Sequence, residues 1–141
     1  KDVKKKNLVK LKKIIFPPIS ETKIKKLMID EESIKYITFS SSAQEITNLI
    51  LNNLYDFPCP PNIKYQKWNI LSVDKKMAKL VMTDMTAGVG GNVINFAHYF
   101  RYVNAIEINT LRYNYLKKNV SISNENQFRN IFVIVSTYIY I

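Results

Sequence analysis

A glycine-rich turn between two apolar segments constrains the fold of this chain more than any other feature. All three glycines of the 141-residue sequence lie in the segment Gly88–Gly91, directly after an apolar segment at 79–84. A helical pattern over 93–100 then leads to the apolar run 103–108, which predicts a strand covered on both faces. Two such strands joined by a helix favour a parallel βαβ unit, so we predict an α/β fold.

The remaining patterns predict helices around this unit and one more strand. The basic segment 1–16 is too irregular for a helix, and 34–39 is a strand or an extended entry. Three further helices are predicted, from Ser20 to about Asp30, from 42 to 54 and over 110–120, and one strand is predicted at 131–135. The residues expected to face inward are Ile46, Leu49, Ile50 and Leu54 on the second helix and Leu111, Tyr115 and Leu116 on the third. We therefore divide the chain into a basic N-terminal arm (1–19), a helical extension ending in a proline-rich linker (20–61) and a ligand-binding half-domain (62–141).

Charge and cysteine content narrow the environment and the partners. Of the net charge of +10, +6 lies in the first 13 residues, which favours a solvated tail or an arm that contacts phosphates. The 18 lysines against 3 arginines also reflect an A/T-rich genome, which weakens the case for nucleic acid. The single cysteine, Cys59, and the absence of a signal peptide or membrane span in the sequence favour an intracellular protein. The oligomeric state is left open.

The residue types around the glycines predict an adenosine-containing cofactor. Glycines allow a sharp turn and a close approach of the backbone to a ligand, and Glu107 ends the second strand 19 residues after Gly88. A carboxylate there accepts hydrogen bonds from ribose hydroxyls, while Asp84 contacts the other end of the ligand or braces the loop. A dinucleotide needs a small third residue where this chain has Val93, so S-adenosylmethionine (SAM) fits better; a turn that binds nothing is the remaining alternative.

The same segment resembles a known family. The stretch 87–97, AGVGGNVINFA, and the strand 105–109, AIEIN, are similar to the motifs of the RNA cap guanine-N2 methyltransferases, the trimethylguanosine synthase family, within the class I SAM methyltransferases. Phe39-Ser40-Ser41-Ser42 stands where that family has an aromatic-Ser turn before a helix. The resemblance implies a partial Rossmann-like fold and methyl transfer from SAM to guanine N2 of an m7G RNA cap. The cofactor-binding residues it implies are Asp84, Thr86, Ala87, Gly88, Gly90, Gly91 and Asn92, with Glu107 at the ribose and Ile108 at the adenine.

The sequence after the third strand departs from the family pattern. The family has an acidic residue where this chain has Val135-Ser136-Thr137-Tyr138, and no Pro-Pro-Trp motif follows. We therefore expect a half-domain that is truncated or frameshifted near residue 135, which holds SAM without an identified catalytic residue. Trp68 is expected to pack in the interior, and with His98 as the one histidine no metal site is predicted.

Two other functions stay open at this point. One is a different class I methyltransferase that acts on amino groups of ribosomal RNA or DNA. The other is a non-catalytic RNA-binding remnant, in which the lysines of 4–13 contact phosphates.

Overall fold

The computed structural model describes residues 2–54, 57–123 and 131–135. In chain order the helices and strands are α1 (Asp2–Ile15), α2 (Glu21–Lys26), α3 (Ser33–Tyr36), α4 (Ser40–Asn53), α5 (Tyr65–Asn69), α6 (Val73–Met77), β1 (Val81–Asp84), α7 (Gly91–Phe96), β2 (Tyr102–Glu107), α8 (Thr110–Ser123) and β3 (Ile131–Val135). None of the helices in these ranges is long and apolar enough to cross a membrane.

The three strands form a parallel sheet in the order β1-β2-β3, which confirms the predicted α/β class. Val103 of β2 pairs with Met82 on one side and with Ile131 on the other. The prediction that β2 is covered on both faces is wrong. Burial alternates along β2, with Val103, Ala105 and Glu107 buried and their neighbours half-exposed, because the described helices cover one face of the sheet.

The segment 1–16, expected to be irregular, contains a 14-residue helix, α1. Its C-terminal end enters the core, where Ile15 and Phe16 are fully buried. Lys12 is also buried, and its Nζ donates to the backbone carbonyl of Leu27. The prediction of a solvated tail is therefore wrong for this end of the segment, and Lys12 is occupied within the protein rather than available to phosphates.

The elements between α1 and the linker differ from the sequence pattern in their bounds and faces. The helix after Ser20 ends at Lys26 rather than near Asp30. The first part of the segment 34–39, expected to be extended, lies instead in the single helical turn α3. The helix α4 begins at Ser40, two residues before the predicted capping box, and no side-chain hydrogen bond caps it.

The inward face of α4 is set by polar contacts that hydrophobicity does not reveal. Ala43 and Thr47 are buried, whereas Leu49, predicted to be inward, is 62% exposed. The Asn95 side chain on α7 donates to the Ala43 carbonyl at 3.1 Å and to Thr47 Oγ1 at 2.8 Å. Because a buried amide needs hydrogen-bond partners, these bonds place the face of α4 that carries Ala43 and Thr47 against α7.

The elements of the βαβ unit agree better with their patterns. All four side chains predicted to be inward after the glycines are buried: Val93, Ile94, Ala97 and Phe100. The strand β3 has the predicted bounds. On α8 Leu116 is buried as predicted, but Leu111 is 51% exposed. Trp68 is buried as expected, and its indole N–H donates to the Phe57 carbonyl.

Candidate cofactor site

A cavity of about 390 Å³ lies at the carboxyl ends of β1 and β2. This is where ligands bind in parallel α/β sheets, since loops and helix N-termini meet there. One part of its wall comes from the glycine turn and the residues after β2, and the other from the segment before α4. The lining residues are 85–89, 91–92, 107–108, 36–38, Ser33 and Arg112. We call this space the loop cavity.

Each glycine of the turn has a separate steric reason to be glycine. Gly88 has a φ of +55°, and a Cβ built on it would meet little, so its backbone lies open to the cavity. Gly90 has a φ of +103°, and a Cβ there would lie 2.9 Å from Leu116. A Cβ on Gly91 would lie 3.1 Å from both Ile37 Cγ1 and the Thr38 carbonyl oxygen. The last two glycines therefore let α8 and the N-terminal segment pack closely around the turn.

Glu107 connects the end of β2 to the glycine turn. Its side chain is 6% exposed. One carboxylate oxygen accepts from the backbone N–H of Gly88 at 2.8 Å, and the other accepts from the N–H of Asn109 at 2.7 Å. A carboxylate has about four lone-pair positions, so these two bonds orient the group and leave acceptor capacity for a ligand.

Asp84 ends β1 and braces the turn from within. Its carboxylate accepts from the backbone N–H of Thr86 at 3.0 Å. Burial raises the pKa of Asp84, and the negative charge of Glu107 raises it further. Asp84 does not line the cavity, and neither does Gly90, whereas the other seven predicted residues do.

Asn92 carries an unused hydrogen-bond acceptor at the cavity. Its amide nitrogen donates to Thr38 Oγ1 at 3.3 Å, which ties the start of α7 to the N-terminal segment. Its Oδ1 is buried and has no hydrogen-bond partner among the described residues. Buried acceptors are rarely left unpaired in native proteins, so this oxygen points to a donor supplied by a ligand.

Sequence reasoning did not identify the second wall of the cavity. Ser33, Tyr36, Ile37 and Thr38 come from the segment before α4, and Arg112 comes from α8. The Phe39-Ser40 pair marked the right region, but the lining residues precede it. Arg112 gave no signal, because its role depends on partners some 80 positions away. Within the described ranges, no group of three or more His, Cys, Asp or Glu side chains is placed to hold a metal ion.

Comparison with known proteins identifies the family. Residues 63–138, which include the whole glycine turn and Glu107, match the family model of RNA cap guanine-N2 methyltransferases. The chain belongs to this family. The RNA cap guanine-N2 methyltransferases are SAM-dependent enzymes, and the match confirms the resemblance inferred from the sequence. The parallel sheet with flanking helices confirms the predicted fold class.

This family member is also similar to individual proteins. It is 60% identical over 122 residues to protein L320 of Acanthamoeba polyphaga mimivirus, covering 86% of this chain and 48% of L320. The chain thus spans about half the length of that relative. Among solved structures it is similar to M. jannaschii TYW2 in complex with AdoMet, with 33% identity, a TM-score of 0.38 and coverage of 45% of this chain and 31% of that one. It is also similar to the M. jannaschii tRNA m1G37 methyltransferase, with 32% identity, a TM-score of 0.37 and coverage of 45% and 20%.

Proposed function

We propose that this chain binds SAM in the loop cavity and contributes the cofactor half of an enzyme that methylates guanine N2 of an m7G RNA cap. The observation that carries the proposal is the pairing of two polar groups at one cavity. These are the Glu107 carboxylate, which accepts from the Gly88 amide, and the buried, unpaired Asn92 Oδ1; all three residues line the cavity. Family membership supports the choice of SAM and of a capped RNA.

The residues at the cavity fit the parts of SAM. Glu107 offers acceptors for two ribose hydroxyls, and Ile108, 58% exposed beside it, offers an apolar surface for the adenine. Asn92 Oδ1 offers an acceptor for an ammonium group. Gly88 leaves room for the ligand because no side chain projects from it. A volume of about 390 Å³ lies within the range of small-molecule sites, roughly 300–1,000 Å³.

When bound, SAM supplies an electrophilic methyl group on a sulfonium. The contribution of this chain is to hold and orient the cofactor and to exclude water from one side of it, which is how positioning lowers a displacement barrier. We place the protein in an intracellular compartment, where RNA substrates are found and Cys59 stays reduced.

The binding proposal is tested by calorimetry with S-adenosylhomocysteine (SAH). We expect the wild-type chain to bind SAH and not NADH. Replacing Glu107 with alanine should reduce SAH affinity at least about 100-fold, since it removes the ribose acceptors and frees the Gly88 amide. Asp74→Ala removes an equal charge from an exposed position on α6 and should leave the affinity unchanged. Binding of NADH in preference to SAH would contradict the proposal.

The substrate proposal needs a separate assay. Methyl transfer should be measured with this chain and with L320, a longer comparison protein that is 60% identical over the matched region. The substrates are m7G-capped RNA, uncapped ribosomal RNA and DNA. The proposal predicts transfer to the capped RNA alone. Transfer to ribosomal RNA or DNA would instead support a different class I methyltransferase.

A further inference from the structure

The wall of the loop cavity opposite the glycine turn is a thin segment with little burial of its own. We call residues 30–38 the wall segment. It contains the four-residue helix α3, and Tyr36 at its end is 76% exposed. Helices this short are marginal without tertiary contacts, because one turn does not repay the entropy of ordering it. Contacts from elsewhere must therefore hold this wall in place.

The two ends of the wall segment are anchored by hydrogen bonds to side chains on α8 and α7. Just before it, the buried side chain of Asn119 accepts from the Met28 N–H at 2.7 Å and donates to the Met28 carbonyl at 2.8 Å. At its far end, Thr38 accepts from Asn92. Among the described residues, these anchors leave the middle, with Ser33 and Tyr36, without a hydrogen bond to the turn or to α7.

Arg112 provides the contact in the middle. Its Nη2 donates to Glu32, and its Nε lies 3.7 Å from Asp30 Oδ2. Asp30 in turn accepts from both the backbone N–H and the hydroxyl of Ser33, which begins α3 and lines the cavity. The guanidinium thus holds the carboxylate that holds the cavity-lining serine.

Arg112 is itself fixed relative to the cofactor acceptor. Its backbone N–H donates to Asn109 Oδ1 at 3.1 Å, and the Asn109 N–H donates to Glu107. A continuous set of hydrogen bonds and ion pairs therefore runs from Glu107 on one side of the cavity to Ser33 on the other. The two acidic partners differ in exposure, with the Asp30 side chain 16% exposed and that of Glu32 62%. The Asp30 contact is the one that water screens less, so it should dominate.

We propose that Arg112 is a positioning residue, which sets the affinity for the cofactor by holding the wall segment through Asp30. This inference rests on the proposed function, because it takes SAM as the ligand of the cavity. It assigns the guanidinium to its two carboxylate partners, Glu32 and Asp30, and not to the ligand. Loss of Arg112 and loss of Asp30 should therefore reduce the cofactor affinity equally, although of the two only Arg112 lines the cavity.

The test is a double-mutant cycle on SAH affinity. Arg112→Gln and Asp30→Asn should each weaken SAH binding about five- to tenfold, and the double variant should be no weaker than either single one. Glu32→Gln should change the affinity less than twofold. The matched control is Lys25→Gln, which removes one positive charge from the exposed ion pair between Lys25 and Glu21 on α2. It should have no effect.

Arg112→Lys separates charge from geometry. Lysine keeps the positive charge but lacks the fork that reaches two carboxylates, so it should restore at most part of the affinity. Loss of affinity in Arg112→Gln with no loss in Asp30→Asn would overturn the proposal, since Arg112 would then contact the ligand directly. Unchanged affinity in both variants would overturn it as well.

Hydrogen exchange without ligand keeps this inference distinct from the proposed function. In Arg112→Gln the amides of Ser33 and Ile37 should exchange faster, because they donate to Asp30 and to the Ser33 carbonyl, while the Gly88 amide stays protected. If the wild-type chain bound no SAH, the proposed function would fail, yet this exchange pattern would still decide whether Arg112 positions the wall. Unchanged exchange at both amides would contradict that role.

Discussion

The βαβ unit at 81–107 and the N-terminal region at 2–54 line the same cavity, but their structures are specified in different ways. In the βαβ unit the local pattern sets the structure, with strand, glycine turn and helix in the expected order. In the N-terminal region the structure follows from distant contacts, such as Lys12 with Leu27 and Asn95 with Ala43. A ligand site can therefore combine one wall that local sequence patterns predict with another that depends on distant contacts.

The largest effect is expected where the two regions are joined. The buried side chain of Asn119 makes three hydrogen bonds, two with the Met28 backbone and one from its amide to the Val89 carbonyl. Asn119→Ala leaves these backbone groups unpaired, so the free energy of unfolding should fall by about 3 kcal/mol. Asn114→Ala, at an exposed position of the same helix, is the control and should change it by less than about 0.5 kcal/mol. Equal effects of the two variants in urea denaturation would show that the regions are not joined through Asn119.

A smaller effect should separate two glycines of the turn. Gly90→Ala places a Cβ 2.9 Å from Leu116 at a φ of +103°, so we expect a loss of about 2 to 3 kcal/mol in the free energy of unfolding. Gly88→Ala places its Cβ in open space at a φ of +55°, so the free energy of unfolding should fall by only about 1 kcal/mol. Its SAH affinity should fall more than that of Gly90→Ala. The reverse order in thermal or urea unfolding would contradict the assignment of Gly90 to packing and Gly88 to the cavity.

The smallest effect is a pH dependence within the βαβ unit. Burial and the charge of Glu107 raise the pKa of Asp84 above its ordinary value of 3.8. The folded state therefore holds this proton more tightly than the unfolded state. Protonation of Asp84 stabilises the folded state at low pH, and this stabilisation is lost as the pH rises through the raised pKa. The Asp84→Asn variant cannot titrate at this position. The difference between its melting temperature and that of the wild type should therefore increase as the pH rises from 3.8 through the raised pKa of Asp84. The control is Asp74→Asn, which makes the same change of side chain at an exposed position of α6, away from the turn.

How much the sequence predicts follows from the range of the contacts involved. The strand bounds of β3, the buried face after the glycines and the lining role of Glu107 depend on alternation, helical spacing and glycine geometry, all of which are local. The segment 1–16 was misjudged because α1 is held by tertiary burial of Ile15 and Phe16, not by its own periodicity. The inward face of α4 was misjudged because the Asn95 amide selects small and polar residues over Leu49.

The same reasoning explains what was missed at the site. Ser33 and Arg112 both line the cavity and are linked through Asp30, which lies 82 positions before Arg112, so no local pattern relates them. The domain bounds, the cofactor contacts of the nine predicted residues and the expected C-terminal truncation stay predictions.

The most direct measurement of the central claim is a crystal structure of the chain with SAH. We expect SAH in the loop cavity, with its ribose hydroxyls donating to Glu107, its ammonium group donating to Asn92 Oδ1 and its adenine against Ile108. The Gly88 and Asn109 amides should keep their bonds to Glu107, as they do without ligand. SAH bound at another surface, or an empty cavity at saturating SAH, would contradict the proposed function.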